Sequence, residues 1–489
     1  MKDKIAKGLF WKLLELAGAQ GVQFVVALVL ARLMSPEEYG TIGLIMIFIT
    51  IANVFVQSGF ATALIQRPDI REEDYSSVFR ISLLLAVPVW LLLYLGAPAV
   101  ASYYDVPVLK PLLRVMGLVL FPGAVISVQT AYVSREMNFR QLFKATMAAV
   151  ILSGAAAIFL ASRGFGVWAM AAQQLIYYAA LMTGLFITVE WRPSAGFDAE
   201  RLKGLFRFGW KILASGLIDT IWMNIYGLII GKRYSQADLG GYSRGEQFPK
   251  LITSNLSAAI QAVLLPAYAK NQSDPVRLKG MMKQSIRFSA FAVFPMMAGL
   301  AGCSVPLVRV LLTDKWLFSV PYLCIMCLCY AFWPIHVTNL QMVTALGRSD
   351  LFLKLEILKK IVGIAVLLIS LPHGIIFMLL LKAADEFLCT FINAYPVRNL
   401  IGYGIAEQYL DMLPSAVCAL AMGGAVWEMQ KLEAGGLGPA VILLLQIAAG
   451  VLLYTGFSFL LNRRTMTELL EVFRRRKTGE AQEDKGNNR

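Results

Sequence analysis

A chain of 489 residues that is 58% hydrophobic and only 16% charged, with a mean hydropathy of +0.63, is too apolar to be a set of water-soluble domains. Its net charge of +14 is distributed along the whole length. Nucleic-acid binding would want the basic residues on one exposed domain, so the excess reads as topology signals and contact with anionic headgroups. An all-α polytopic membrane protein is expected.

Apolar runs of about 20 residues, the length a helix needs to cross a bilayer, recur from end to end. About 14 spans are expected, centred near residues 22, 52, 90, 122, 153, 177, 221, 257, 295, 329, 364, 385, 419 and 450. The first is too long for the apolar core of a cleavable signal, carries Glu15, and has no convincing small-residue cleavage site after it. Along it Lys12, Glu15, Ala19 and Gln23 recur at helical spacing and form one polar stripe. The second span places Thr50, Asn53 and Gln57 on one face. The loop at 66–80 is a solvated mixture of charges. Residues 197–207, where Leu202, Leu205 and Phe206 alternate with Arg201, Lys203 and Arg207, read as an interfacial amphipathic helix.

Residues 208–240 then repeat residues 8–40. Trp210, Lys211, Ile212 and Leu213 echo Trp11, Lys12, Leu13 and Leu14, and Ser235, Asp238 and Gly240 echo Ser35, Glu38 and Gly40. In the eighth span Ser254, Ser257 and Gln261 follow Thr50, Asn53 and Gln57 at a constant offset of 204 residues. Pro88 is matched by Pro295, Pro98 by Pro306 and Pro111 by Pro321. Gln174, Tyr177 and Tyr178 of the sixth span align with Lys382, Asp385 and Glu386 of the twelfth, so one copy has gained charges where the other stayed neutral. The expected organisation is an N-terminal lobe at 1–196, a second lobe at 197–403, two extra spans at 404–462 that face lipid, and a tail at 463–489 whose end, 478–489, is polar enough to be disordered. Six spans per copy keep both copies in one orientation, a parallel repeat about an axis along the membrane normal.

With the N-terminus placed inside, 33 of the 45 Lys and Arg residues fall in inside segments and 11 in outside loops, with Lys382 within a span. That bias predicts a multi-pass protein of the cytoplasmic membrane with both termini cytoplasmic.

Catalytic signatures are missing from the sequence. It holds no GxxxxGK[ST] phosphate loop and no loop long enough for a catalytic domain. His336 and His373 belong to no triad or ligand pattern, and the Cys324/Cys327/Cys329 cluster lacks the second CxxC or nearby histidine of a zinc site. Neither enzymatic activity, cofactor nor metal is expected. What remains is charge within the membrane, where an ionisable group costs about 2.5–3.5 kcal/mol and therefore faces a wet cavity or a partner. Glu15 and Asp219 are the candidate coupling-ion sites, for H+ or Na+, and Lys382, Asp385 and Glu386 form a charged membrane cluster. The structural alternative is local pairing of Glu15 with Lys12, and of Lys382 with Asp385 or Glu386. Lys232, Arg233, Arg244 and Lys250 lie on one outside connection whose counterpart holds only Arg32. Guanidinium forks of this kind suit a phosphate or pyrophosphate. Asn53, Gln57, Gln261 and Asn224, with Trp222 nearby, suit sugars, which combine hydroxyls with apolar ring faces.

The stretches ARLMSPEEYG (31–40), GFGVWAM (164–170), ADLGGYSRGEQFPKL (237–251) and DKWLFSVPYL (314–323) together resemble polysaccharide and O-antigen flippases of the multidrug/oligosaccharidyl-lipid/polysaccharide exporter superfamily. The resemblance covers nearly the whole chain. It implies alternating access between two six-helix lobes that carry a polyprenyl-pyrophosphate-linked oligosaccharide to the outer leaflet, with the first, second, seventh and eighth helices lining the cavity. On that reading Arg32, Arg244 and Lys250 hold the pyrophosphate, while Asn53, Gln57, Gln261, Asn224 and Trp222 hold sugar. Membrane lipids and other polysaccharide-assembly proteins are the further expected partners. Two alternatives remain at this point. A cation-coupled multidrug exporter of the same superfamily would place Asp219 at a drug site, and a polytopic glycosyltransferase or polymerase would need a long outside loop that this chain lacks.

Overall fold

The computed structural model describes residues 2–57, 60–67, 69–193, 199–469 and 471, and every regular element among them is helical. In lipid the backbone must satisfy its own hydrogen bonds, and long apolar segments do so as helices. The chain runs α1 (Lys2–Leu33), α2 (Pro36–Gln57), the short α3 (Phe60–Gln66), α4 (Glu72–Tyr104), α5 (Leu109–Met116), α6 (Leu120–Glu136), α7 (Phe139–Ser162) and α8 (Val167–Thr188). It continues through α9 (Ala199–Arg233), α10 (Gln236–Lys270), α11 (Pro275–Gly302), α12 (Ser304–Leu311), α13 (Val320–Ala331), α14 (Trp333–Ala345), α15 (Ser349–Ser370), α16 (Ile375–Ile401), α17 (Ile405–Glu428) and α18 (Pro439–Leu461). Among the described residues, twelve helical segments are long and apolar enough to cross a membrane. α15 and α16 are as long but more charged, through Lys354, Glu356, Lys359 and Lys360 in one and Lys382, Asp385 and Glu386 in the other. With those two, every expected span centre falls in a helix. The expected amphipathic stretch at 197–207 begins outside the described residues; its backbone from Ala199 onward is the first part of α9. The tail stretch at 478–489 also lies outside them, whereas 463–469 is helical.

The chain divides into two compact units, Met1–Ser243 and Arg244–Arg489, with the boundary inside α10. In the first unit cores form where apolar helix faces meet, two of them among the described residues. One gathers Leu64, Val78, Val128, Leu142, Leu181 and Trp191 from α3, α4, α6, α7 and the end of α8, and the other gathers Ala52, Val56, Ala86, Leu120 and Ala124 from α2, α4 and α6.

The repeat is visible in the way helices start. Ahead of α2 the Ser35 amide donates to Glu38 Oε2 at 2.7 Å and the Glu38 amide to Ser35 Oγ at 3.3 Å. Ahead of α10 the Ser235 amide donates to Asp238 Oδ2 at 3.2 Å and the Asp238 amide to Ser235 Oγ at 3.0 Å. Both are reciprocal capping boxes that satisfy donors a helix start would otherwise strand. The two starts also touch. A Cβ on Gly40 would run into the Gln236 carbonyl oxygen, and one on Gly240 into the Pro36 carbonyl oxygen, so only glycine permits this backbone approach. Farther along, Gly227 and Gly231 of α9 receive Ile47 and Leu44 of α2.

In the second unit the two copies part company. α4 runs unbroken over Pro88 and Pro98, but its counterpart stops at Gly302 and resumes as α12. The break falls where α17 presses in: a Cβ on Gly302 would lie 2.9 Å from the Gly423 carbonyl oxygen, and one on Gly423 would lie 3.0 Å from the Ala298 carbonyl oxygen. α17 therefore has a buried face, with Ser415, Cys418, Ala419, Met422 and Val426, beside an exposed one with Leu413, Val417 and Leu420. Gln446 of α18 donates to the Val426 carbonyl at 2.8 Å. The extra spans are thus bound into this unit as well as exposed on their outer side.

Candidate functional site

The polar face of α2 is neutral and built in layers. Gln57 Nε2 donates to Asn53 Oδ1 at 2.9 Å, one helical turn apart, and Ser127 of α6 donates to the Gln57 carbonyl at 3.4 Å. Gly123 on α6 leaves the room: a Cβ there would stand 2.7 Å from Gln57 Nε2, 3.0 Å from Asn53 Oδ1 and 3.7 Å from a ring carbon of Tyr178 on α8. Asn53, Gln57 and Tyr178 thus converge. Glu15 of α1 is 8% exposed and its carboxylate lies 2.7 Å from Lys12 Nζ, the local pairing that its spacing allows. Arg32 is exposed in the last turn of α1.

The seventh-span residues take separate roles. Asn224 turns its amide back to the Thr220 carbonyl of its own helix at 2.8 Å, Trp222 is half-buried and Asp219 is exposed. Lys232 reaches Asp105 Oδ2 at 3.2 Å and also donates to the Tyr103 carbonyl, so this cation makes a local contact within its unit. On α10, Arg244 Nη1 donates to Gln247 Oε1 at 2.6 Å, while Lys250 and Gln261 are exposed. Six residues of helix turn the chain through about 240° beyond a full turn, so Arg244 and Lys250 point to different faces of α10.

The second unit holds the charged cluster. Lys382 Nζ lies 3.5 Å from Glu246 Oε1, with the two side chains 14% and 17% exposed, and the Tyr330 hydroxyl donates to the same oxygen at 3.0 Å. Glu386 Oε2 faces His336 Nε2 at 3.5 Å, and Asn393 Nδ2 stands 3.0 Å from His336 Nδ1. An amide nitrogen can only donate, so Nδ1 accepts and the ring proton sits on Nε2, which lies near the Glu386 carboxylate without a hydrogen bond to it. Buried Asp385 receives the Cys389 thiol at 3.9 Å. Beside the structural alternative of local pairing along α16, the charges of this helix reach partners on other helices. Lys382 crosses to α10 and Glu386 to α14, because three charges on one buried helix find better partners on the helices packed against it.

Glu246, Tyr330, His336 and Asn393 were not singled out in the sequence as members of this cluster. A partial signal was available for Glu246, an acid inside a membrane-length helix, but Lys250 one turn on offers it a local partner and masks the match to the base-bearing α16. His336, which belongs to no triad or ligand pattern in the sequence, is one arm of the network. All six cysteines are free.

Helices of membrane length in two units, a doubled opening motif, and polar clusters held inside each unit define a polytopic all-α membrane protein. The chain belongs to the polysaccharide biosynthesis protein family, whose profile matches residues 29–321. It is 24% identical over 484 residues to the succinoglycan biosynthesis transport protein ExoT of Rhizobium meliloti (strain 1021), covering 97% of this chain and 96% of that one. It is 22% identical over 443 residues to the lipopolysaccharide biosynthesis protein WzxC of Escherichia coli (strain K12), covering 86% and 88%. The fold matches that of the lipid II flippase MurJ in its inward closed conformation, with a TM-score of 0.76 at 13% identity over 94% of this chain and 100% of that one. The resemblance expected from the four sequence stretches is met.

Proposed function

We propose that this protein moves a polyprenyl-pyrophosphate-linked oligosaccharide across the cytoplasmic membrane by alternating access, with both termini on the cytoplasmic side. The observation that carries this reading is the end-to-end similarity to a polysaccharide transport protein, 97% of one chain against 96% of the other, within a family defined by polysaccharide biosynthesis. In this reading Arg32 and Arg244 grip the pyrophosphate with their guanidinium forks and Lys250 adds a third positive charge. Asn53 and Gln57, with Gln261, Asn224 and Trp222, meet the sugars. Glu15 and Asp219 exchange H+ or Na+ during the cycle, and protonation lowers the cost of carrying a carboxylate through an apolar wall. Other polysaccharide-assembly proteins supply and receive the substrate.

The test is flipping of a defined lipid-linked oligosaccharide in proteoliposomes, alongside surface polysaccharide in cells. Arg244→Ala or Lys250→Ala is expected to abolish polymer while leaving the protein in the membrane; normal polymer from both removes the pyrophosphate assignment. Transport that persists unchanged after both ion gradients are collapsed removes the coupling role of Glu15 and Asp219. A wild type that changes resistance to organic cations and flips no oligosaccharide would favour the drug-exporter reading instead.

A further inference from the structure

A pocket of about 400 Å³ opens in the first unit where the start of α1, the turn between α6 and α7, and the end of α8 meet. That size is within the range of small-ligand sites. None of its residues belongs to the candidate pathway on α2, α9 and α10. Trp11, Tyr132 and Phe139 supply its aromatic wall. Trp11 is braced by Phe10 and Phe143, with ring centroids 5.6 and 5.4 Å away, and the Arg140 guanidinium stands 5.6 Å from its ring.

The polar lining is balanced, and part of it is unspent. Lys7 and Arg140 are set against Glu136 and Glu190, so the pocket carries no net charge and gives an anionic ligand no advantage. Among the described residues, the side chains of Lys7, Glu136 and Glu190 make no hydrogen bond or ion pair, and Asn138 at the start of α7 does not cap its helix. Aromatic faces beside paired carboxylates, cations and amides are the chemistry that reads a neutral polyhydroxylated ring: the ring's C–H face lies on the aromatic, and its hydroxyls donate to carboxylates and accept from Lys and Arg.

We propose that this pocket is a saccharide subsite on the cytoplasmic rim of the first unit, which engages the sugar part of the substrate apart from the pathway that passes the pyrophosphate. The assignment rests on the flippase reading and on the orientation in which the start of α1 is cytoplasmic. Such a site raises the local concentration of sugar at the entrance without holding the charged group that has to move.

The full-length protein in nanodiscs, probed by saturation-transfer NMR with glucose, N-acetylglucosamine and cellobiose, tests it. Wild type is expected to bind at least one of these sugars, with Trp11→Leu, or Glu136→Gln combined with Glu190→Gln, weakening binding by about tenfold. The carboxamide variants change exposed groups, and an unchanged thermal midpoint shows that their fold is intact. In proteoliposomes the same variants are expected to raise the substrate concentration needed for half-maximal flipping and to leave the maximal rate near wild type. The proposal is overturned by a wild type that binds none of the sugars, by sugar binding that the variants leave unchanged, or by glycerophosphoethanolamine occupying the pocket in place of sugar. Wild-type sugar binding that the variants abolish, in a protein that flips nothing, would overturn the flippase reading and leave the saccharide site standing.

Discussion

α8 and α16 align in the sequence repeat, yet one carries Gln174, Tyr177 and Tyr178 where the other carries Lys382, Asp385 and Glu386. Each turns toward the polar-faced second helix of its own copy: Tyr178 meets the Asn53–Gln57 pair of α2, and Lys382 meets Glu246 of α10. The frame is therefore shared and the chemistry is not. A neutral hydrogen-bonded face holds its shape at modest cost, because each bond contributes about 1 kcal/mol and nothing charged is stranded if one is lost. A charged face is sensitive to every member, since removing one ion leaves its partner desolvated and unpaired.

The largest way to break that contrast is Glu246→Ala or Lys382→Ala, each expected to destabilise by about 3–5 kcal/mol as measured by thermal unfolding in detergent. Glu246→Gln with Lys382→Met should recover most of that loss; a double variant as unstable as the singles would show that the pair is not the unit. Next come Gly40→Ala and Gly240→Ala. Each forces a side chain onto a backbone carbonyl, and overpacking of this kind costs about 1–3 kcal/mol. The reciprocal geometry predicts nearly equal shifts in midpoint for the two, and a large inequality would mean that the starts of α2 and α10 are not equivalent. On the neutral side, Gln57→Leu is expected to cost only about 1 kcal/mol, so a loss as large as that of Lys382→Ala would erase the distinction between the copies. The smallest effect is expected from the caps, where Ser35→Ala and Ser235→Ala should each cost about 0.5–1 kcal/mol, again read as matched changes in midpoint.

Much of the architecture was legible before any coordinates, and the reasons differ from element to element. Span positions follow from the length of apolar runs, which the bilayer imposes directly, so each expected centre sits in a helix. The echo of Ser35 and Glu38 in Ser235 and Asp238 was legible as a repeat because a capping box needs its residue types at a fixed local spacing. The partners of Lys382 and Glu386 were not, since Glu246 lies 136 residues before Lys382 and His336 lies 50 before Glu386, and helix periodicity says nothing across that distance. Nor was the buried face of α17, which depends on Gly302 admitting the backbone of Gly423 and on Gly423 admitting that of Ala298. The rim pocket escaped for a further reason: it is assembled from the ends of helices and a turn, where no periodic pattern marks a shared surface.

The approach at Gly40 and Gly240 is reciprocal: the first meets the backbone of residue 236 and the second that of residue 36. Reciprocity of this kind is what two-fold symmetry demands at the interface of a homodimer, where residue i touches j and j touches i. In a true dimer every substitution arrives twice, so a lysine placed in one subunit's helix appears in the other's as well. Joining both copies in a single chain removes that obligation. The glycine joint stands while α16 carries Lys382, Asp385 and Glu386 and α8 carries Gln174, Tyr177 and Tyr178, a difference that two identical subunits could not hold.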